Sequence, residues 1–231
     1  MCGRYTLFTP PEELAARFDA EPPAFEPSYN CSPGQSLPVV ADDRPDRFIE
    51  KRWGLTPSWA DADDGGHINA RAETVAEKRT FSEAFERRRC LVPADGFYEW
   101  VTEDGDRQPY RVAFEDDRPF AMAGIYERWT PSTTQTGLGD FGGTGPDRTP
   151  DPVETFAVLT TEPNELVADL HHRMAVVLAP DEEETWLHGD RSELPSLLDP
   201  HPPDEMTAYP VSTRVNDPGN DDPSLVTPAE G

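Results

Sequence analysis

The stretch Arg89-Cys90-Leu91-Val92-Pro93-Ala94-Asp95-Gly96-Phe97-Tyr98-Glu99-Trp100 decides the fold class of this chain. It is strand-like, rich in apolar and aromatic residues, and Ala94-Asp95-Gly96 interrupts it with turn chemistry. Upstream, residues 80–89 read as a helix, with Phe81 and Phe85 at i, i+4. Further upstream, Arg47-Phe48-Ile49-Glu50 and Leu37-Pro38-Val39-Val40 read as short strands around an Asp/Pro turn. Residues 10–18 read as a short helix with Pro and acids in its first turn. Downstream, residues 110–114, 120–129, 155–160 and 174–178 are strand candidates, and residues 182–188 read as a short helix. Strands outnumber helices and no regular crossover helices separate them. An α+β fold with a mixed or antiparallel sheet is therefore expected over a doubly wound one.

At 231 residues the chain suits one domain, 1–231, long enough for a substantial core. Residues 131–152, rich in Gly, Thr, Pro and Asp, join two strand candidates and read as a mobile surface insertion, not a boundary. From about residue 214 the chain is an acidic, Pro-rich tail in which Leu225-Val226 offers a docking point. Leu, Ile, Val and Phe supply only 43 residues and the net charge is −25, values in the range of disordered chains. The ordered-looking aromatic runs, such as Phe97-Tyr98-Glu99-Trp100, argue against disorder. Only Lys51 and Lys78 among the 20 basic residues are lysine, and the acids are spread along the chain. That pattern favours a protein of a salt-accumulating organism, where ionic strength screens self-repulsion, over an acidic partner-binding protein in ordinary salt.

No apolar run approaches a membrane span, and Met-Cys-Gly-Arg-Tyr has no signal-peptide pattern. Cys2, Cys31 and Cys90 are odd in number and lack CxxC spacing, which argues against a disulfide framework or zinc ribbon. A reducing, cytoplasmic location with no membrane, metal or cofactor is expected.

Cys2 carries the sharpest chemistry. With Met1 removed, the chain begins with a 1,2-aminothiol whose amine and thiol are both partly available near neutral pH. The amine can form a Schiff base with an aldehyde. The thiol can then close on the imine carbon to give a five-membered thiazolidine, a step favoured by intramolecularity. Position alone allows the plainer reading, an incidental cysteine at a frayed end.

Cys2 has company in five further blocks: Tyr29-Asn30-Cys31-Ser32-Pro33-Gly34-Gln35, Arg52-Trp53-Gly54-Leu55-Thr56-Pro57-Ser58-Trp59, Ile68-Asn69-Ala70-Arg71-Ala72-Glu73-Thr74, the stretch 89–100, and Leu170-His171-His172-Arg173-Met174. In this order the set closely resembles the SRAP family, the SOS-response-associated peptidase-like proteins that cross-link to abasic DNA. The resemblance runs from Cys2 to about Val226 and leaves out 131–152. It implies a barrel-like sheet core with short flanking helices, autocatalytic loss of Met1, and a thiazolidine with the ring-opened aldehyde of an abasic site in single-stranded DNA. By the same resemblance Cys2 is the nucleophile, Asn69 orients the reacting terminus, and Glu99 and His171 are catalytic. Arg4, Arg71 and Arg79 match phosphate-contacting positions, Pro33 and Trp59 match apolar groups that support nucleotide stacking, and Asn30 is grouped with these DNA-binding positions. Two departures stand out: Ala175 where the family usually has Pro, and His172 as a second imidazole, although the spacing to Arg173-Met174 favours His171.

The chemistry is intelligible without the family. Opening the sugar and losing water from the carbinolamine both need a proton carrier, roles a carboxyl and an imidazole can share. Glu99 lies between Tyr98 and Trp100, where desolvation would raise its pKa. By composition the DNA signal is faint, because phosphate binding normally relies on a basic patch. Trp53, Trp59 and Trp100 offer stacking surfaces, and Arg87-Arg88-Arg89 is either a basic cluster or a solvated helix end. Two rival readings remain. Met-Cys-Gly also opens N-terminal-nucleophile amidohydrolases of the glutamine amidotransferase type, and a non-catalytic single-strand-binding module would bind without an adduct. A Cys/His metal site lacks ligand spacing. The expected partner is single-stranded DNA carrying abasic sites, met by a monomer.

Overall fold

A computed structural model describes residues 2–61, 65–103, 105–130 and 151–229. All but the last two residues of the stretch 131–152, read as an insertion, lie outside them. In chain order the described residues form β1 (Tyr5–Leu7), α1 (Pro11–Phe18), β2 (Ser28–Cys31), β3 (Ser36–Ala41), β4 (Arg44–Trp53), β5 (Asn69–Arg71), α2 (Ala72–Val75), α3 (Ser82–Arg87), β6 (Arg89–Ala94) and β7 (Gly96–Glu103). There follow β8 (Asp106–Phe114), β9 (Phe120–Trp129), β10 (Val153–Thr161), α4 (Glu165–Ala168), β11 (Met174–Ala175), β12 (Val177–Leu178), α5 (Glu183–His188) and β13 (Met206–Pro210). The fold is α+β, as its strand-rich sequence leads one to expect.

Five strands close on themselves. β3 pairs with β4 and β6, β6 with β9, β9 with β10, and β10 runs parallel to β4, completing a barrel-like ring. Closure removes exposed edges, which suits β6, β9 and β10, whose residues are almost all buried. At the parallel seam the side chain of Lys51 is fully buried, 2.5 Å from Glu154 and over the Tyr126 ring. Glu154 also takes Arg128 and Arg44, and Lys51 and Arg128 hold its carboxyl down at about 2 despite burial. A second, antiparallel sheet runs β13-β8-β7-β1-β2.

The stretch 89–100 joins the two sheets. β6 belongs to the barrel and β7 to the second sheet, and only Asp95 separates them. The turn chemistry therefore produces a change of sheet, not a hairpin. Asp95 fixes that bend: its carboxylate accepts from the backbone N–H groups of Phe8 and Thr9 and from the Thr9 hydroxyl. A Cβ on Gly96 would lie 2.9 Å from Arg111 Nε and 2.9 Å from Val112 O, so glycine lets β7 swing against β8.

Two elements differ from expectation. The helix expected over 80–89 ends at Arg87, because Arg89 enters β6 and its buried guanidinium donates to the carbonyls of Phe85, Glu86, Trp186, Leu187 and Gly189. Arg88 pairs with Glu83 and Glu127, so the cluster is no free basic patch, and only exposed Arg87, in the last turn of α3, fits a solvated helix end. Residues 174–178 form two short strands: β11 pairs with β10, β12 with β9, and Val176 between them bonds both Leu159 and Ala123.

The segment after β13 packs as a strap. Two 3-10 turns, Thr213–Asn216 and Pro223–Val226, bury Val215 and Leu225 against Tyr98 and Val211. No helix among the described residues is long and apolar enough to cross a membrane.

Candidate active site

β1 pairs antiparallel with β7, Tyr5 opposite Phe97 and Thr6 opposite Gly96, and Tyr98 N–H donates to Arg4 O at 3.0 Å. Continued by this register, Gly3 comes level with Glu99, so the sheet itself carries Cys2 toward that carboxyl. From the other side β5 runs parallel to β10, and Asn69 Nδ2 donates to Cys2 O at 2.9 Å. Asn69 Oδ1 is buried with no hydrogen-bond partner among the described residues. A third approach comes from the turn after α4, where His171 N–H donates to Val167 O. His171 Nδ1 stands 4.0 Å from Glu99 Oε2.

The electrostatics are those of a dry site. Cys2 is fully buried, and burial, aided by the Glu99 charge, holds its thiol far above the usual thiol range. Glu99 is likewise buried, and desolvation lifts its carboxyl to about 7. Near neutral pH it can therefore both give and take a proton. Burial lowers the His171 pKa, which favours the neutral ring. The Arg173 backbone holds His171 Nδ1 from two sides, its N–H at 3.0 Å and its carbonyl at 3.1 Å, and so orients the ring in either tautomer. Arg173 is itself fixed by Glu73 and by the Thr160 carbonyl. His172 is exposed and stacks on His171, ring centroids 4.2 Å apart.

Glu99 and His171 face a cleft of about 390 Å³ that is also lined by Gly3, Arg4, Trp100, Arg107 and Asn216. Cys2, Asn69, Glu99 and His171, from four distant parts of the chain, are thus brought together. Arg4 borders the same cleft, its Nη1 bonded to Asn30 Oδ1 and Val215 O at 2.8 Å each. Asn30 is fully buried and donates to the carbonyls of Val215, Asp217 and Asn220, so it holds the strap from inside. Arg71 shares a strand face with Asn69, the two flanking buried Ala70. Trp59 is 52% exposed with the Arg79 guanidinium 4.6 Å from its ring centroid, a stack open to solvent. Pro33 is exposed on the loop after β2. Trp53, by contrast, is fully buried in the core. Sequence reasoning did not single out Arg107, Asn216 or the Glu73–Arg173 pair. Arg107 and Asn216 read as turn and tail polars, and only the docked strap brings them to the cleft.

The fold and site define a class: a strand-closed barrel whose second sheet delivers an N-terminal cysteine to a buried carboxyl and a neutral imidazole. The chain belongs to the SOS response associated peptidase (SRAP) family, whose family model matches residues 1–218. It is 38% identical to the abasic site processing protein YoqW of Bacillus subtilis, over 98% of this chain and 99% of that one. It is 33% identical to the abasic site processing protein HMCES of Gallus gallus, over 89% of this chain and 67% of the relative. A crystal structure of a protein from Bacteroides thetaiotaomicron superposes with a TM-score of 0.83 at 28% identity, covering 99% of this chain and all of that one.

Proposed function

We propose that this chain processes abasic sites, capturing the ring-opened sugar aldehyde of single-stranded DNA as a covalent adduct on Cys2 once Met1 has been removed. The observation that carries this reading is the convergence of a buried Cys2, held through its carbonyl by Asn69, with Glu99 and His171 on one cleft. The amine left by Met1 removal adds to the aldehyde carbon. Glu99, with its carboxyl near neutrality, and His171, its ring held by the Arg173 backbone, move the protons that expel the carbinolamine hydroxyl as water. The Cys2 thiol then adds across the C=N bond, its sulfur to carbon and its proton to nitrogen, closing a thiazolidine. The high thiol pKa suits this order, because the sulfur stays protonated and unreactive until an imine stands beside it.

The same groups serve removal of Met1: water adds to the Met1 carbonyl, the Met1–Cys2 amide bond breaks, and Glu99 or His171 supplies the proton with which the Cys2 amine leaves. Arg4 and Arg71 would contact phosphates, and the Trp59–Arg79 stack and Pro33 would support bases beside the lesion, with the monomer acting in the cytoplasm. Incubation with an abasic oligonucleotide and, separately, with glutamine tests the reading. A band surviving denaturing electrophoresis, with no glutamate released, is expected. Glutamate release without such a band supports the amidohydrolase instead, and a salt-sensitive shift alone supports a non-catalytic binding module.

A further inference from the structure

We propose that Arg107, braced by Trp100 and Asn216, is the seat of a backbone phosphate immediately beside the lesion. The proposal rests on the abasic-site reading above and extends it to a contact outside the reacting groups. Arg107 lines the cleft faced by Glu99 and His171. It is exposed, yet among the described residues no carboxylate lies within ion-pair distance of its guanidinium. Arg17, Arg118, Arg128 and Arg214 are neutralised by carboxylates, whereas Arg71, Arg79 and Arg87, like Arg107, form no ion pair among the described residues; of these four only Arg107 lines the cleft. A cation at the mouth of a cleft, with no ion pair among the described residues, is available to an anion from outside.

The seat is also built in advance. Trp100 Nε1 donates to Asn216 Oδ1 at 2.6 Å, and Asn216 Nδ2 donates to Arg107 O at 3.2 Å. One asparagine therefore fixes both the ring and the backbone of the arginine, whose guanidinium lies 5.5 Å from the ring centroid. Asn216 stays in place because Arg4 and Asn30 bond the carbonyl of neighbouring Val215. A guanidinium so limited in freedom loses little entropy on binding, and its planar fork suits two phosphate oxygens. Arg4, the other cation of the cleft, already uses Nη1 on Asn30 and Val215, which leaves Arg107 the freer fork.

The test is the dissociation constant for single-stranded oligonucleotides carrying tetrahydrofuran, an abasic analogue without an aldehyde, so that binding is read apart from the covalent step. Arg107→Ala should weaken binding about tenfold, the scale of one charge-assisted contact. It should also make the plot of log K against log salt shallower by about 0.7, the share of one phosphate on a single strand. Arg107→Lys should restore the salt slope and only part of the affinity. A neutral methylphosphonate on one side of the lesion should weaken the natural protein by the same factor, and on that oligonucleotide Arg107→Ala should add nothing. Equal binding by Arg107→Ala and the natural protein overturns the proposal. So does an equal loss on every oligonucleotide, including one neutral at both flanks. Failure of the natural protein to form an adduct with the true aldehyde would count against the reading beneath, while the binding series still decides the seat.

Discussion

Replacing Glu99 by Gln keeps the shape of the side chain and removes its charge. Glu99 is 1% exposed, and burial lifts its carboxyl from 4.5 to about 7. Between those values the folded chain holds a proton that the unfolded chain has released, so stability falls as pH rises. The contribution is fully present below about 4.5 and lost above about 7. At about 1.36 kcal/mol per unit, the lift amounts to about 3 kcal/mol. The Gln variant has no such slope. Urea denaturation of both proteins at fixed KCl, from about pH 4 to about pH 8.5, should yield stabilities whose difference grows by about 3 kcal/mol in favour of Gln across that window. Any fixed offset from packing the amide drops out of the comparison. A difference that does not change with pH would refute the desolvated carboxyl, and with it the proton carrier assigned to the site.

Other expectations follow from the same geometry. Cys2→Ser should leave at most a reducible or hydrolysable imine, read by loss of the heat-stable band, because oxygen closes a less stable ring. In single-turnover assays Glu99→Gln should slow cross-linking by about 100-fold or more and His171→Ala should also slow it, whereas exposed His172→Ala should match the natural protein. Similar large losses at both histidines would overturn the choice of His171. Asn30→Ala takes the amide from the carbonyls of Val215, Asp217 and Asn220, of which Val215 O keeps Arg4 and Asp217 O keeps the Asn220 N–H, and should cost about 1–3 kcal/mol of strap stability. Hydrogen exchange over residues 213–226 would report it. With a net charge of −25, folding should strengthen toward molar KCl while DNA encounter weakens, so adduct yield should rise and then flatten or fall. A protein fully folded and most active at about 0.1 M KCl, declining steadily thereafter, contradicts a salt-adapted chain.

Much of the fold is legible where a strand is long and apolar enough to declare itself. The run 89–100 does so, and its Asp-Gly interruption marks the place where the chain changes sheets. β1, β2 and β5 are only three or four residues long, and their burial comes from pairing with strands far away in sequence, which local periodicity cannot register. The strap reads as an acidic tail because its composition is that of a tail. Val215 and Leu225 are buried because the strap docks, its carbonyls at Val215, Asp217 and Asn220 held by the amide of Asn30, far upstream. The site divides in the same way. The aminothiol of Cys2 carries its chemistry in its own two groups, and Glu99 advertises desolvation through its aromatic neighbours. Their meeting with Asn69 and His171 depends on four separated segments, and from the sequence only the family resemblance places them together. Arg107 stayed hidden because a hairpin arginine looks like any other until its place at the mouth of the cleft is seen.

The central claim is a condensation on Cys2 after loss of Met1, and intact mass after incubation with an abasic oligonucleotide tests it most directly. The account predicts one species: the chain without Met1, plus the oligonucleotide, minus one water, stable to heat and resistant to borohydride. An adduct that retains Met1, or one that forms equally well on Cys2→Ser, would contradict it.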